Sequence, residues 1–293
     1  MLSDGSERMH VHWMDVNGIG LRVITAGPAK GIPLVFLHGF PEAAELSWRY
    51  QLDWFATKGY QVIAIDQRGY NLSGKPRRVV DYRLDLLARD VIGVIRILGY
   101  EQVVVVGHDW GGAVAWHLAD FHAEVVQRAI ILNCPHGVAF KQMLLHNPRQ
   151  WLLSWYMLFF QLPWLPECVL AWNDYFWLRR VLRTSARPGT FSAADLAEYV
   201  EVWRQPGALH SMLNWYRSLV RYPIMLDPSR KLMMPVLMLW GEQDRFLLAD
   251  MAEPSIEMCD VGRLICLPEA SHWLQHEVPE EVNSLIHNFL QAG

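Results

Sequence analysis

Asp109, Asp244 and His272 lie far apart in the chain, and together they supply a carboxylate nucleophile, an orienting acid and a base. Asp109 is the centre of VVVVGHDWGG, residues 103–112, a Gly-x-Asp-x-Gly frame where serine is the more usual middle residue. The valine run, the tight turn between Gly107 and Gly111 and the following AVAWHLADF read as strand, turn and helix. Such a turn lifts its central side chain clear of the sheet, and glycines let the backbone pass without a Cβ clash. The plainer role for Asp109 is a helix N-cap. Asp244, in LMLWGEQDRF, and His272, in LPEASHWLQ, each fall in a loop after an expected strand, 28 residues apart. A carboxylate that holds one imidazole nitrogen leaves the other to act as a base. His38, His108, His117, His136, His276 and His287 compete for that role, but none follows a strand-end loop of the ASHW type, and they read as structural.

An aspartate in this place selects the chemistry. A carboxylate needs no deprotonation at neutral pH, its unperturbed pKa being ~3.9. It attacks a saturated carbon that carries a strained or good leaving group. On an amide or ester it would give a labile anhydride. Alkylation of Asp109 gives instead an ester that His272-activated water can hydrolyse at the aspartate's own carbonyl. That second step needs an oxyanion hole. The loop LHGFPE, residues 37–42, and the residue after the aspartate are placed to supply its two backbone N–H groups, from Phe40 and Trp110. His38 and Glu42 read as braces for the loop. The expected substrates are epoxides or alkyl halides.

The motifs HGFPE, DQRGYNLSGKP, GHDWGG, NWYR and ASHWLQHEVPEEVN resemble the α/β-hydrolase-fold epoxide hydrolases from about residue 10 to the end, and most nearly the branch without an N-terminal phosphatase domain. The resemblance implies two cap tyrosines that protonate the epoxide oxygen. SMLNWYRSL offers Tyr216 and SWYMLFFQLP offers Tyr156, where the plainer reading is aromatic packing. It also implies no cofactor and no metal, and it departs at Asn71, where the family often shows glycine. Phe40, Trp110, Trp155, Trp215 and Trp273 are the expected substrate-pocket residues, and a small lipophilic epoxide and water the expected partners. A haloalkane dehalogenase shares Asp109-Trp110 but often carries Asn where this chain has Phe40. A fluoroacetate-type dehalogenase tends to carry Arg where it has Trp110. A ligand-binding member of the fold without turnover is the reading from another class, which the complete set of reactive residues opposes.

These residues must be positioned by an α/β architecture. Asn17-Gly18 separates two extended stretches as a hairpin turn. From Pro33 onward, the continuous apolar runs LVFLHGF, QVIAIDQRGY, VVVVGHDWGG, AIILNCPHG, PVLMLWGEQD and RLICLPEASHW alternate with helix-length segments such as SWRYQLDWFATKGY. Runs of that kind are strands buried on both faces of a mostly parallel sheet. Residues 137–227 hold no strand-like run and are crowded with Trp and Tyr, so they read as a helical cap over the C-terminal edge of the sheet. The expected division is an α/β core, 1–136 and 228–293, with that cap between.

The remaining numbers exclude other classes. With 52% hydrophobic and 19% charged residues, 293 residues can build a large core. A net charge of −4 and no Lys/Arg stripe argue against nucleic acid. Cys134, Cys168, Cys259 and Cys266 show no metal-ligand spacing and read as buried thiols in a reducing, cytoplasmic setting. MLSDGSERMHVHW lacks the apolar stretch of a signal peptide. WLLSWYMLFFQLPWLPECVL, residues 151–170, is interrupted by Gln161, Pro163, Pro166 and Glu167 and is not expected to span a membrane. A homodimer is compatible with all of this.

Overall fold

A computed structural model describes residues 9–292. Eight strands form one sheet in the order β1-β2-β4-β3-β5-β6-β7-β8. They are β1 (His10–Val16), β2 (Ile19–Ala26), β3 (Pro33–Leu37), β4 (Gln61–Ile65), β5 (Val103–His108), β6 (Val126–Leu132), β7 (Val236–Gly241) and β8 (Gly262–Leu267). β1 and β2 are the hairpin expected at Asn17-Gly18, whose φ angles of 49° and 77° both lie in the left-handed region that such a turn requires. β2 joins β4 antiparallel, and β3 to β8 are all parallel.

The valine runs follow from burial on both faces. Alternate residues of a strand point to opposite sides. Val35, Leu37, Ile63, Ile65, Val103 and Val105 pack on one face with the helices Leu84–Ile97 and Trp110–Phe121. Leu34, Phe36, Val62, Ala64, Val104 and Val106 pack on the other with the helix Pro279–Gln291. Between β6 and β7 the described chain is helical, from Gly137–His146 through to Ala208–Arg221.

Two expectations need correction. SWRYQLDWFATKGY, residues 47–60, is not one helix: the short helix Ala44–Ser47 ends where it begins, and within it only Leu52–Thr57 is helical. Trp48 leaves the helix to pack its ring 5.2 Å from that of Phe36, and Gln51 donates to the Gln275 carbonyl, so tertiary contacts override local propensity. All four cysteines are free, but only Cys134 and Cys259 are buried. Cys168 lies on an outer face of the helix Leu165–Ser185, and Cys266 lies on β8, the edge strand. That same helix, Leu165–Ser185, is not continuous: Asn173, Asp174 and Tyr175 have φ of 50°, 55° and 58°. Among the described residues no helix is long and apolar enough to cross a membrane. The reading of MLSDGSERMHVHW falls mostly on residues 1–8, which lie outside the described residues.

The tightest point of the fold is the turn after β5. A Cβ on Gly107 would meet the Gly111 carbonyl, and one on Gly111 would meet the carbonyl of Leu37 at the end of β3. Gly111→Ala should therefore cost about 3 kcal/mol by overpacking against backbone. That corresponds to a melting midpoint lower by roughly 6–12 °C. Thermal denaturation followed by circular dichroism measures it, and an unchanged midpoint would refute the close approach.

Candidate active site

The turn that Gly107 and Gly111 permit leaves Asp109 at φ 50° and ψ −121°, a conformation costly for a residue with a Cβ. Its carboxylate stands at the C-terminal end of β5, at the start of the helix Trp110–Phe121. It does not cap that helix, because no side-chain cap hydrogen bond is formed. Instead the Phe40 N–H donates to Asp109 Oδ1 at 2.7 Å. Gly39 makes that approach possible, since a Cβ there would collide with the Asp109 side chain. Trp110 is the first residue of its helix, where backbone N–H groups have no partner within the helix.

Asp244 and His272 meet Asp109 as the spacing suggested. His272 Nδ1 lies 2.6 Å from Asp244 Oδ2, and its Nε2 faces Asp109 Oδ2 at 3.7 Å. The carboxylate of Asp244 also accepts from Asn133 Nδ2 at 2.7 Å and from the N–H groups of Phe246 and Leu247 at 2.7 and 3.0 Å. Burial works to raise the Asp244 carboxyl, but these donors and the imidazole outweigh it and hold its pKa below the ordinary value. Burial likewise works to discharge His272, yet the charges of Asp244 and Asp109 and the hydrogen bonds to them raise it to about 10. The resting site therefore holds one imidazolium between two carboxylates.

An aromatic wall closes the other side. The ring of Tyr216 lies 5.0 Å from Trp110, 5.3 Å from Phe40 and 5.9 Å from Tyr156. Tyr156 packs 6.3 Å from Phe246, which in turn lies 5.1 Å from His272. Burial first, and the nearby charge of Asp109 with it, push both phenols above their ordinary pKa, so both hydroxyls stay protonated at neutral pH. NWYR places Tyr216 by spending its neighbours on anchorage. Asn214 Nδ2 donates to the Arg77 carbonyl, Trp215 Nε1 to the Arg68 carbonyl, and Arg217 to the carbonyls of Phe160 and Leu162 and to Glu167.

Other expected positions fall differently. Trp215 packs behind Trp110, ring to ring at 5.6 Å. Trp273 packs edge-on to His272 and tilted against His108, and donates to Ser185. Trp155 is not brought to the site: it is 62% exposed, and its nearest ring is Phe159. Asn71 takes φ 43°, which asparagine tolerates, so the loop keeps a turn that glycine would also make. His38 and Glu42 brace as expected. His38 Nε2 accepts from the Gln67 N–H at 3.2 Å, and buried Glu42 collects Ser47 Oγ (2.8 Å), His108 Nδ1 (3.1 Å), Tyr199 OH (3.1 Å) and His276 Nε2 (2.9 Å). His108 Nε2 then donates to the His272 carbonyl at 2.8 Å.

Asn133 and Phe246 were not foreseen as site residues. Asn133 ends the run AIILN at φ 40°, and an asparagine at a strand end beside the others was the available signal. The described residues hold no cluster of His, Cys, Asp or Glu that could bind a metal.

The fold and the site agree with the outcome of sequence comparison. The chain belongs to the alpha/beta hydrolase family, whose pattern matches residues 34–285. It is 45% identical to the AB hydrolase superfamily protein YfhM of Bacillus subtilis over 95% of this chain and 97% of that protein. It is 39% identical to human epoxide hydrolase 4 over 99% of this chain and 81% of the relative. In structure it is similar to a variant of an epoxide hydrolase from Bacillus megaterium solved with its product (R)-3-[1]naphthyloxy-propane-1,2-diol. The TM-score is 0.87 at 33% identity, covering 95% of this chain and 99% of the other.

The electrostatics carry a pH dependence. The pKa of His272 in the folded chain lies above 6.5, so its charged form contributes stability that is complete below pH 6.5 and lost as pH rises through about 10. The depressed Asp244 acts the other way, contributing above pH 3.8 and losing its share as acid protonates it. Nitrogen-15 NMR of the imidazole should show His272 still charged at pH 8. Asp244→Asn should move its titration well down. A neutral His272 at pH 7 in the unmodified chain would overturn this account.

Proposed function

We propose that this chain is an epoxide hydrolase that opens lipophilic epoxides to vicinal diols through an ester on Asp109. The observation that carries the proposal is the arrangement around one carboxylate: Oδ1 held by the Phe40 N–H at 2.7 Å, Oδ2 facing His272 at 3.7 Å, and the ring of Tyr216 within 6 Å of that of Tyr156. The names of relatives at 39% identity and of structures at 33% identity support the same substrate class.

The steps follow from charge. Oδ2 of Asp109 attacks a ring carbon, the carbon–oxygen bond of the epoxide breaks, and its electrons stay on the leaving oxygen. That alkoxide is a stronger base than either phenolate, so Tyr156 or Tyr216 gives it a proton despite its raised pKa. Esterification removes the charge of Asp109, one of the causes that kept His272 protonated. His272 can then release its proton, which restores the phenol. The site's net charge stays at one negative throughout: first Asp109, Asp244 and the imidazolium, then Asp244 alone. Neutral His272, oriented by Asp244, takes a proton from water as it attacks the ester carbon. Oδ1 becomes the oxyanion, stabilised by the N–H groups of Phe40 and Trp110. The diol leaves with Oδ2, and a solvent oxygen remains on Asp109. Phe40, Trp110, Phe160, Phe246 and the two tyrosines supply apolar walls suited to alkyl or aryl substituents.

Three experiments test this scheme. His272→Gln should still be alkylated, and a mass gain of one substrate should accumulate on the protein. A single turnover in ¹⁸O-water with enzyme in excess should give unlabelled diol and a label on the peptide containing GHDWGG. Diol labelled in the first turnover would mean direct attack by water. The double variant Tyr156→Phe/Tyr216→Phe should open epoxides at least ~10²-fold more slowly, the usual scale for a general acid. Wild-type opening by that variant would reduce the tyrosines to packing.

A further inference from the structure

Part of the helical insertion is built inside out. The helices Pro148–Leu153 and Trp155–Phe159 meet at Ser154, whose backbone stays near helical at φ −92° and ψ 8°. Along them the uncharged polar side chains of Gln150 and Ser154 face inward. Gln150 is fully buried, donates to Ser154 Oγ and the Phe246 carbonyl, and accepts from the Leu248 N–H. The large apolar side chains face outward, with Trp151 at 58%, Leu152 at 75%, Trp155 at 62% and Leu158 at 63% exposed. Their spacing of three and four residues places them on one helical face. Leu162 and Trp164 extend the exposed set beyond the second helix. A continuous apolar surface of this kind marks an interaction site in a folded protein.

Charge identifies what covers it. From Gly137 to Pro166 the chain carries Lys141 and Arg149, both exposed, and no aspartate or glutamate, although the whole protein has net charge −4. Tryptophan and leucine flanked by basic residues suit the boundary between lipid headgroups and acyl chains, where the indole keeps a polar edge in contact with water. A second copy of the chain fits less well. Two-fold pairing places the same patch on itself, and that segment offers no acidic partner to Lys141 or Arg149 of the other copy.

We propose that the face formed by Trp151, Leu152, Trp155, Leu158, Leu162 and Trp164 lies on an anionic phospholipid surface. The helices lie along the membrane interface and do not cross it. The same segment carries Tyr156 on its inner side, packed against Tyr216 and Phe246, so lipid and reactive site lie on two sides of one short element.

Vesicle flotation tests the proposal. The intact protein should float with phosphatidylcholine vesicles that contain phosphatidylglycerol, and less so as salt is raised. Trp151→Ser/Leu152→Ser/Leu158→Ser should reduce the floated fraction about tenfold while keeping the far-UV spectrum. Leu152→Ser alone, at the most exposed position, carries the same test if the triple variant does not fold. Lys141→Gln/Arg149→Gln should lose binding to the anionic vesicles selectively. The proposal is overturned if the intact protein floats with no vesicle, or if the serine variants float as it does. It is overturned equally if sedimentation velocity shows self-association that the serine variants abolish while no vesicle binds, which would make this face a contact between copies.

Discussion

The contact between Gly111 and the carbonyl of Leu37 sets the distance between two strand ends, and most of the site depends on it. It brings the loop after β3 against the turn after β5. That contact, with the one between Gly39 and Asp109, puts the Phe40 N–H within hydrogen-bonding distance of a carboxylate on another strand. The strained backbone of Asp109 persists because the sheet on one side and its helix on the other over-determine it. The parallel arrangement then aligns the ends of β5, β6, β7 and β8, so Asp109, Asn133, Asp244 and His272 arrive at one edge from four separate segments.

Charge is the second organising element. Asp109, Asp244 and His272 meet in one space, and His272 and Asp244 each hold the other in its charged form. His272 is charged because two carboxylates face it, and the tyrosines are neutral partly because Asp109 is not.

Features that arise locally were legible in the sequence. The hairpin at Asn17-Gly18, the doubly buried strands and the glycine-flanked turn at Asp109 each follow from a few adjacent residues and their backbone demands. Features that depend on distant partners were not. The break at Trp48, the exposure of Trp155 and the roles of Asn133 and Phe246 are decided by other segments of the chain. Cys168 and Cys266 show the same limit, because a thiol's burial is a property of the face on which it falls.

Glu42 has a consequence for how this architecture can change. One carboxylate accepts hydrogen bonds from the first helical turn after β3, from the residue before Asp109, from the segment after His272 and, through Tyr199, from the helical insertion. Trp203 adds a bond from the same insertion to the Pro41 carbonyl. The insertion is thus wired to the core through the loop that carries Phe40. A chimera that exchanged the insertion for a relative's would have to keep a hydroxyl at position 199 and an indole at 203. Without them two core acceptors, Glu42 and the Pro41 carbonyl, would each be one donor short, and the swapped part would be badly seated over the core. Modularity here ends at two side chains.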